Sequence, residues 1–177
     1  MHKMICVAAL AAVCVAPMAA HAKAPKKLQV TLKNAAGASV GTVELKQKNN
    51  GVEFKVELSG LEPGEHAIHV HQKPVCEAPA FTSAGGHFNP SGKKHGIHNP
   101  EGHHNGDLPL NLTVGDDGKA KATFLAPDLS LDPMAMDSMV ANGGTSIVVH
   151  AKADDMISDP AGNAGTREAC GVVPSVN

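Results

Sequence analysis

The stretch "VEFKVELS", residues 52–59, alternates Val52, Phe54, Val56 and Leu58 with Glu53, Lys55 and Glu57. A period of two puts each set on one face of an extended chain, so one face is buried and the other wet. Just before it, "KNNG" (48–51) carries the Asn-Gly signal of a hairpin turn, and "VGTVELKQ" (40–47) reads as the partner strand. "LQVTLK" (28–33) precedes this pair, and "LEPG" (61–64) marks the next reversal. Strand patterns resume with "LPLNLTV" (108–114), the turn "GDDG" (115–118), "KAKATFLA" (119–126) and "TSIVVHAKA" (145–153). The connection 127–144 has room for one helical turn, and 154–167 reads as loop. Many short strands with regular turn signals predict an all-β antiparallel barrel or sandwich.

The 177 residues suffice for one domain. Residues 1–22 stand apart: a basic start at His2 and Lys3, an apolar run from Ile5 to Ala16, and the small-residue site Ala20-His21-Ala22. This is the pattern of a cleaved secretory leader, and the run is too short to span a bilayer as a helix. Lipid attachment at Cys14 is disfavoured by the bulky Val13 before it. The expected mature domain is 23–177, exported and without a membrane segment. Cys6 and Cys14 leave with the leader, so Cys76 and Cys170 are expected to pair as a disulfide in an oxidising compartment. The net charge of −2, without a basic block, Trp or Tyr, argues against nucleic acid as a partner.

Histidine is the outlier: eleven in the chain, eight of them between His66 and His104. In "HAIHVHQ" (66–72), His69 and His71 share one face of a strand and could offer two imidazoles to one metal. Taken alone, H-x-H does not separate a metal site from chance. His66 lies an odd number of residues away and is expected to be a hydrogen-bonded structural histidine. Residues 73–109 are rich in Pro and Gly and show no helix or strand pattern, as in a loop ordered by ligation and a disulfide. That loop offers His87, His95, His98, His103, His104 and Asp107. Three histidines and an aspartate suit tetrahedral zinc, and several imidazoles in a flattened arrangement suit Cu(II). His150 ends the apolar run "SIVVH"; a lone histidine there is ordinarily core, unless a four-imidazole site needs a ligand from a distant strand.

The segments "HAIHVH", "AGGHFNP", "KKHG", "GHHNGDLP", "VVHAKADD" and "GNAGTREACGVV" fall in the order and approximate spacing of the copper/zinc superoxide dismutases. The chain resembles that family over nearly all of the mature domain, and the last motif, joining an arginine to the second cysteine, is the most specific. The resemblance implies an eight-stranded antiparallel Greek-key β-barrel with long metal-binding and electrostatic loops. It also implies one copper and one zinc per subunit. Matched residue by residue, His69, His71, His87 and His150 would hold copper. His87, His95, His104 and Asp107 would hold zinc, with His87 bridging the two metals. The H-x-G-D spacing selects His104 over His103, which with His98 is left to the loop surface. Asp154 matches the family's aspartate that links a copper ligand to a zinc ligand, here His69 and His95. Arg167 matches the residue that docks superoxide beside copper.

The implied function is a periplasmic superoxide dismutase, forming O2 and hydrogen peroxide as copper alternates between Cu(II) and Cu(I). The alternative is a non-catalytic copper/zinc-binding module on the same barrel; the full ligand set plus Arg167 favours the enzyme. Both a monomer and a homodimer are compatible with the sequence. Ala67 stands where many relatives carry glycine, and the short segment between His150 and Arg167 lacks some charged residues that relatives use to guide superoxide, so no steering role is carried over to Lys152 and its neighbours. The methionines of "MAMDSM", Met134, Met136 and Met139, could in principle handle Cu(I), but are expected to pack onto the barrel.

Overall fold

The computed structural model describes residues 23–176, so the expected leader, 1–22, lies outside the described residues. Nine strands form: β1 Lys27–Asn34, β2 Ser39–Lys48, β3 Gly51–Ser59, β4 Gly64–His66, β5 Ile68–His71, β6 Leu112–Val114, β7 Lys119–Ala126, β8 Gly144–His150 and β9 Arg167–Pro174. Seven of them make one sheet in the order β5-β8-β9-β1-β2-β3-β7, and β4 pairs with β6 in a second. Every ladder is antiparallel. The all-β antiparallel expectation therefore holds.

The alternation in β3 does what its period predicts. Val52, Phe54, Val56 and Leu58 are buried, while Lys55 and Glu57 face solvent. Phe54 stacks on Phe124 of β7 at 5.3 Å between ring centres. The core they join takes Val30 and Leu32 from β1, Val43 and Leu45 from β2, Ile68 and Val70 from β5, and Ile147 and Val149 from β8. In the β2–β3 hairpin Lys48 pairs with Gly51, so Asn49 and Asn50 are the turn residues. Gly51 itself has φ +133°, and a Cβ there would overlap the Ala126 carbonyl of β7. Its glycine answers a close strand approach.

Several expectations need correction. The stretch read as one strand at 66–71 is divided at Ala67, which helps to give nine segments where the resemblance implied eight. There the chain passes between sheets: the Ala67 N–H donates to the Lys152 carbonyl, and the Ala67 carbonyl accepts from the His150 N–H. Residues 108–111 lie outside any strand, leaving only Leu112–Val114 as β6. The segment after Arg167, unassigned from the sequence, is strand β9. The only helical turn among the described residues is a 3-10 turn at Thr82–Ala84, not one in 127–144. Met139 is buried as expected, but Met134 and Met136 are 70% and 86% exposed.

The long loop after β5 is ordered by backbone hydrogen bonding. Gln72 and Val70 donate to the Gly86 and Gly106 carbonyls, and Phe88 donates to the Val70 carbonyl. The free edge of β5 is thereby covered, which removes a sticky sheet edge and fixes the loop against the strand. Cys76 and Cys170 form a disulfide with Cα atoms 5.7 Å apart, closing 94 residues of sequence. Beneath it Phe81, Ala84 and Val148 make a small second core. Among the described residues no helix is long and apolar enough to cross a membrane.

Candidate metal centre

Strand β5 is buried on both faces. Ile68 and Val70 point into the core, so the period of two sends His69 and His71 to the opposite side, under the loops. The loop residues opposite them are Asp107 and His87, each in an isolated bridge to the strand. His150 comes from the end of β8. A register shift between Val149 and His150 sets His150 directly across the ladder from Arg167. Bulges of this kind re-aim side chains beside functional sites.

Two overlapping sets of buried donors stand within 4.8 Å of one another: His69, His71, His87 and His150, and His69, His87, His95 and Asp107. The atoms left free by hydrogen bonding say which donor faces which set. His69 Nε2 bonds Asp154 at 2.8 Å, leaving Nδ1 buried without a partner. His71 Nδ1 donates to the Gly85 carbonyl at 2.9 Å, and its Nε2 stands 3.4 Å from His150 Nε2. His87 Nε2 is a second orphaned buried nitrogen. Buried polar atoms rarely go unpaired, so two unpaired nitrogens beside an N···N approach suit ligation of a metal ion.

The second set centres on Asp107 Oδ1. The Nδ1 atoms of His87, His95 and His104 lie 2.8, 3.0 and 3.2 Å from it, and those of His87 and His104 are 3.4 Å apart. A tetrahedral zinc with bonds of about 2.0–2.1 Å holds its donors roughly 3.3 Å apart, so the spacing suits it. By distance alone His69 counts in both sets. Its one free nitrogen and the contacts of Asp107 assign it to the first, with His104 completing the second. His103 points elsewhere, to Asp128 at 3.1 Å, and His98 is exposed. His66 is buried with its ring nitrogens 2.8 and 2.9 Å from the His150 and Glu62 carbonyls, outside both sets.

Asp154 ties the sets together, with Oδ2 on His69 and Oδ1 on His95 Nε2 at 3.0 Å. Asn111 holds Asp154 from behind, accepting its N–H and donating to its carbonyl. Arg167 is fixed by two bonds of 2.6 Å to the Phe81 and Gly85 carbonyls. Gly85 thus accepts from both Arg167 and His71. Its φ of +76° favours glycine, and a Cβ there would overlap the Gln72 side chain.

Electrostatics differ between the two sets. Burial drives His87 and His150 down to about 4, with neighbouring imidazoles adding to the shift, and lowers His69 and pulls His71 well down. These rings are neutral at pH 7, as metal ligands must be. His95 is opposite: burial lowers it, but Asp107 and Asp154 outweigh that and hold it up to about 9. Asp107 is raised by burial and, more strongly, lowered by His104, His87, His95 and the Gly96 N–H; it stays ionised.

Sequence reasoning did not find the Phe81 and Gly85 carbonyls, Asn111, or Asp159, whose carboxylate accepts the His95 N–H at 2.7 Å. Backbone carbonyls carry no side-chain signal. Asn111 lies in the run read only as strand, where a lone polar residue among apolar ones is the one signal that could have found it.

Fold and site define a β protein with two overlapping clusters of buried histidines that could each hold a metal ion. The family model for copper/zinc superoxide dismutase (SODC) matches residues 39–173. The chain belongs to that family of oxidoreductases, whose cofactors are copper and zinc. It is 46% identical to superoxide dismutase [Cu-Zn] 2 of Aquifex aeolicus, over 83% of this chain and 86% of that protein. To the Escherichia coli superoxide dismutase [Cu-Zn] it is 37% identical, over 93% and 96% of the two chains. A solved SOD-like protein from Bacillus subtilis superposes with TM-score 0.78 at 40% identity, covering 81% of this chain and 96% of that one.

Proposed function

We propose that the protein is a periplasmic superoxide dismutase, exported by a leader at 1–22 and active as the domain 23–177. In this reading β4 and β5 act as one strand of an eight-stranded Greek-key barrel. Copper would be held by His69, through its free Nδ1, and by His71, His87 and His150. Zinc would be held by His87, His95, His104 and Asp107, whose donor atoms converge at Asp107 Oδ1. The observation that carries the reading is His87, whose Nδ1 faces the Asp107 set while its Nε2 is orphaned toward the histidine set.

When bound, copper would supply the one-electron exchange that superoxide dismutation needs. The chain supplies the rest. Arg167, locked by two carbonyls and across the ladder from His150, presents a fixed cation to an arriving anion, and such a local field raises on-rates by about 10–10³-fold. His87 Nε2, in the part of the cycle when it is not engaged by the metal, would take up one proton and deliver it to the second superoxide; water supplies the other of the two protons that hydrogen peroxide requires. Asp154 and Asn111 keep His69 and His95 oriented, so the donor positions survive repeated cycles. The disulfide holds the Phe81–Gly85 segment, and with it the acceptors of Arg167.

The test is product stoichiometry with the copper- and zinc-loaded protein. Two superoxide consumed should yield one O2 and one hydrogen peroxide, faster than with the same free copper. No acceleration would leave only a metal-binding protein.

A further inference from the structure

The β7–β8 connection carries three of the four methionines among the described residues, Met134, Met136 and Met139, and treats them in two ways. Its neck is closed by backbone bonds: Ser130 N–H donates to the Asp137 carbonyl at 3.0 Å, and Met139 N–H to the Ser130 carbonyl at 2.8 Å. Below the neck Met139 is fully buried in the main core with Leu129 and Leu131. Above it the side chains of Met134 and Met136 stand in water, 70% and 86% exposed. The Met134 N–H is fixed on Asp132 Oδ1 at 2.9 Å, so backbone bonding shapes the tip without help from the thioethers. The fourth, Met156, is only partly exposed.

Two large apolar side chains held in solvent add nothing to the core, and what sets them apart chemically is an accessible sulfur lone pair. We propose that Met134 and Met136 form a modification site, oxidised to methionine sulfoxide by hydrogen peroxide ahead of the other methionines of the domain. Peroxide as an endogenous oxidant rests on the activity proposed above, of which it is the product. In the step, a sulfur lone pair attacks one peroxide oxygen, the S–O bond forms and the O–O bond breaks. The departing hydroxide takes the proton from the oxygen now bound to sulfur, so one thioether and one peroxide give one sulfoxide and one water. Sulfoxide is polar, and placing it at Met139 would disrupt the core; at the loop tip it meets only water. The modification is therefore silent for the fold and open to methionine sulfoxide reductases, which reverse it.

The experiment treats the mature protein with hydrogen peroxide, a chelator being present so that copper-generated radicals play no part, and follows each methionine by peptide mass spectrometry. Met134 and Met136 should oxidise roughly tenfold or more faster than Met139, in line with their exposure, while the melting temperature of the oxidised protein stays unchanged. Met139 reacting as fast as the pair, or a lowered melting temperature at the stage when only the pair is modified, would overturn the proposal. The variant M134L/M136L should lose the fast phase; its persistence would also overturn it. A second arm feeds superoxide, without added peroxide, to the copper- and zinc-loaded protein. If added peroxide marks the pair but superoxide does not, the modification site stands and the proposed activity falls.

Discussion

Replacing Cys76 and Cys170 together by serine removes the one disulfide among the described residues and leaves no free thiol among them. The disulfide spans 94 residues. In the chain-entropy account, closing a loop of that length costs the unfolded state about 16 cal/mol/K, or about 4.7 kcal/mol at 25 °C. The second core beneath the bridge, Phe81, Ala84 and Val148, stays apolar in the variant, so most of the loss should come from the unfolded chain. Urea unfolding of the metal-free proteins isolates the effect from metal binding. With a slope of about 2 kcal/mol/M, the midpoint should fall by roughly 2 M, and the melting temperature by roughly 10–15 °C. A loss below about 1 kcal/mol would refute the reasoning, because it would mean that the bridge does not restrict the unfolded chain.

Metal-free stability should peak near pH 6.5. His87 and His150 are pulled down to about 4 from 6.5, so their contribution is full above pH 6.5 and lost as pH falls toward 4. His95 is held up to about 9, so its contribution is full below 6.5 and lost as pH rises through 9; a flat profile of unfolding free energy from pH 4 to 9 would contradict both shifts. Zinc bound as proposed would need that same His95 Nδ1 unprotonated, so zinc uptake at pH 7 should release about one proton, read by calorimetry in two buffers of different ionisation enthalpy. No proton release would separate His95 from the zinc site. Gly162→Ala should weaken zinc binding by about 10–100-fold, because the new Cβ would overlap Asp154 Oδ1 and crowd His95 Nε2. An unchanged zinc dissociation constant would show that Asp154 can move without cost.

What the sequence made legible was what periodicity and spacing carry. The alternation in β3 placed Phe54 inward and Lys55 outward, and the two-residue step in "HVH" set His69 and His71 on one face, where the structure puts them. His150 was ambiguous from its own strand, since an apolar run ending in histidine is ordinarily core; its meaning depends on a bulge across from Arg167 that no local pattern announces. The break at Ala67 was equally hidden, because it arises from hydrogen bonds to His150 and Lys152 far along the chain. Strand β9 was missed since "REACGVVP" mixes faces: Gly171 is buried under Thr31 and Val30, and Val172 is partly exposed. Met134 and Met136 failed the rule that apolar residues pack, because the neck of their loop is tied by backbone bonds that leave the tip in solvent.

The central claim, a dismutase whose copper site depends on imidazoles placed by β5, β8 and the His87 loop, is tested most directly by superoxide decay across a metal-loading series. Zinc-loaded protein should leave the spontaneous rate unchanged. Adding copper should accelerate decay in proportion to copper bound, up to one per chain, and beyond what the same copper does when free. Decay that tracks free copper alone, or that is equally fast with zinc alone, would contradict the account.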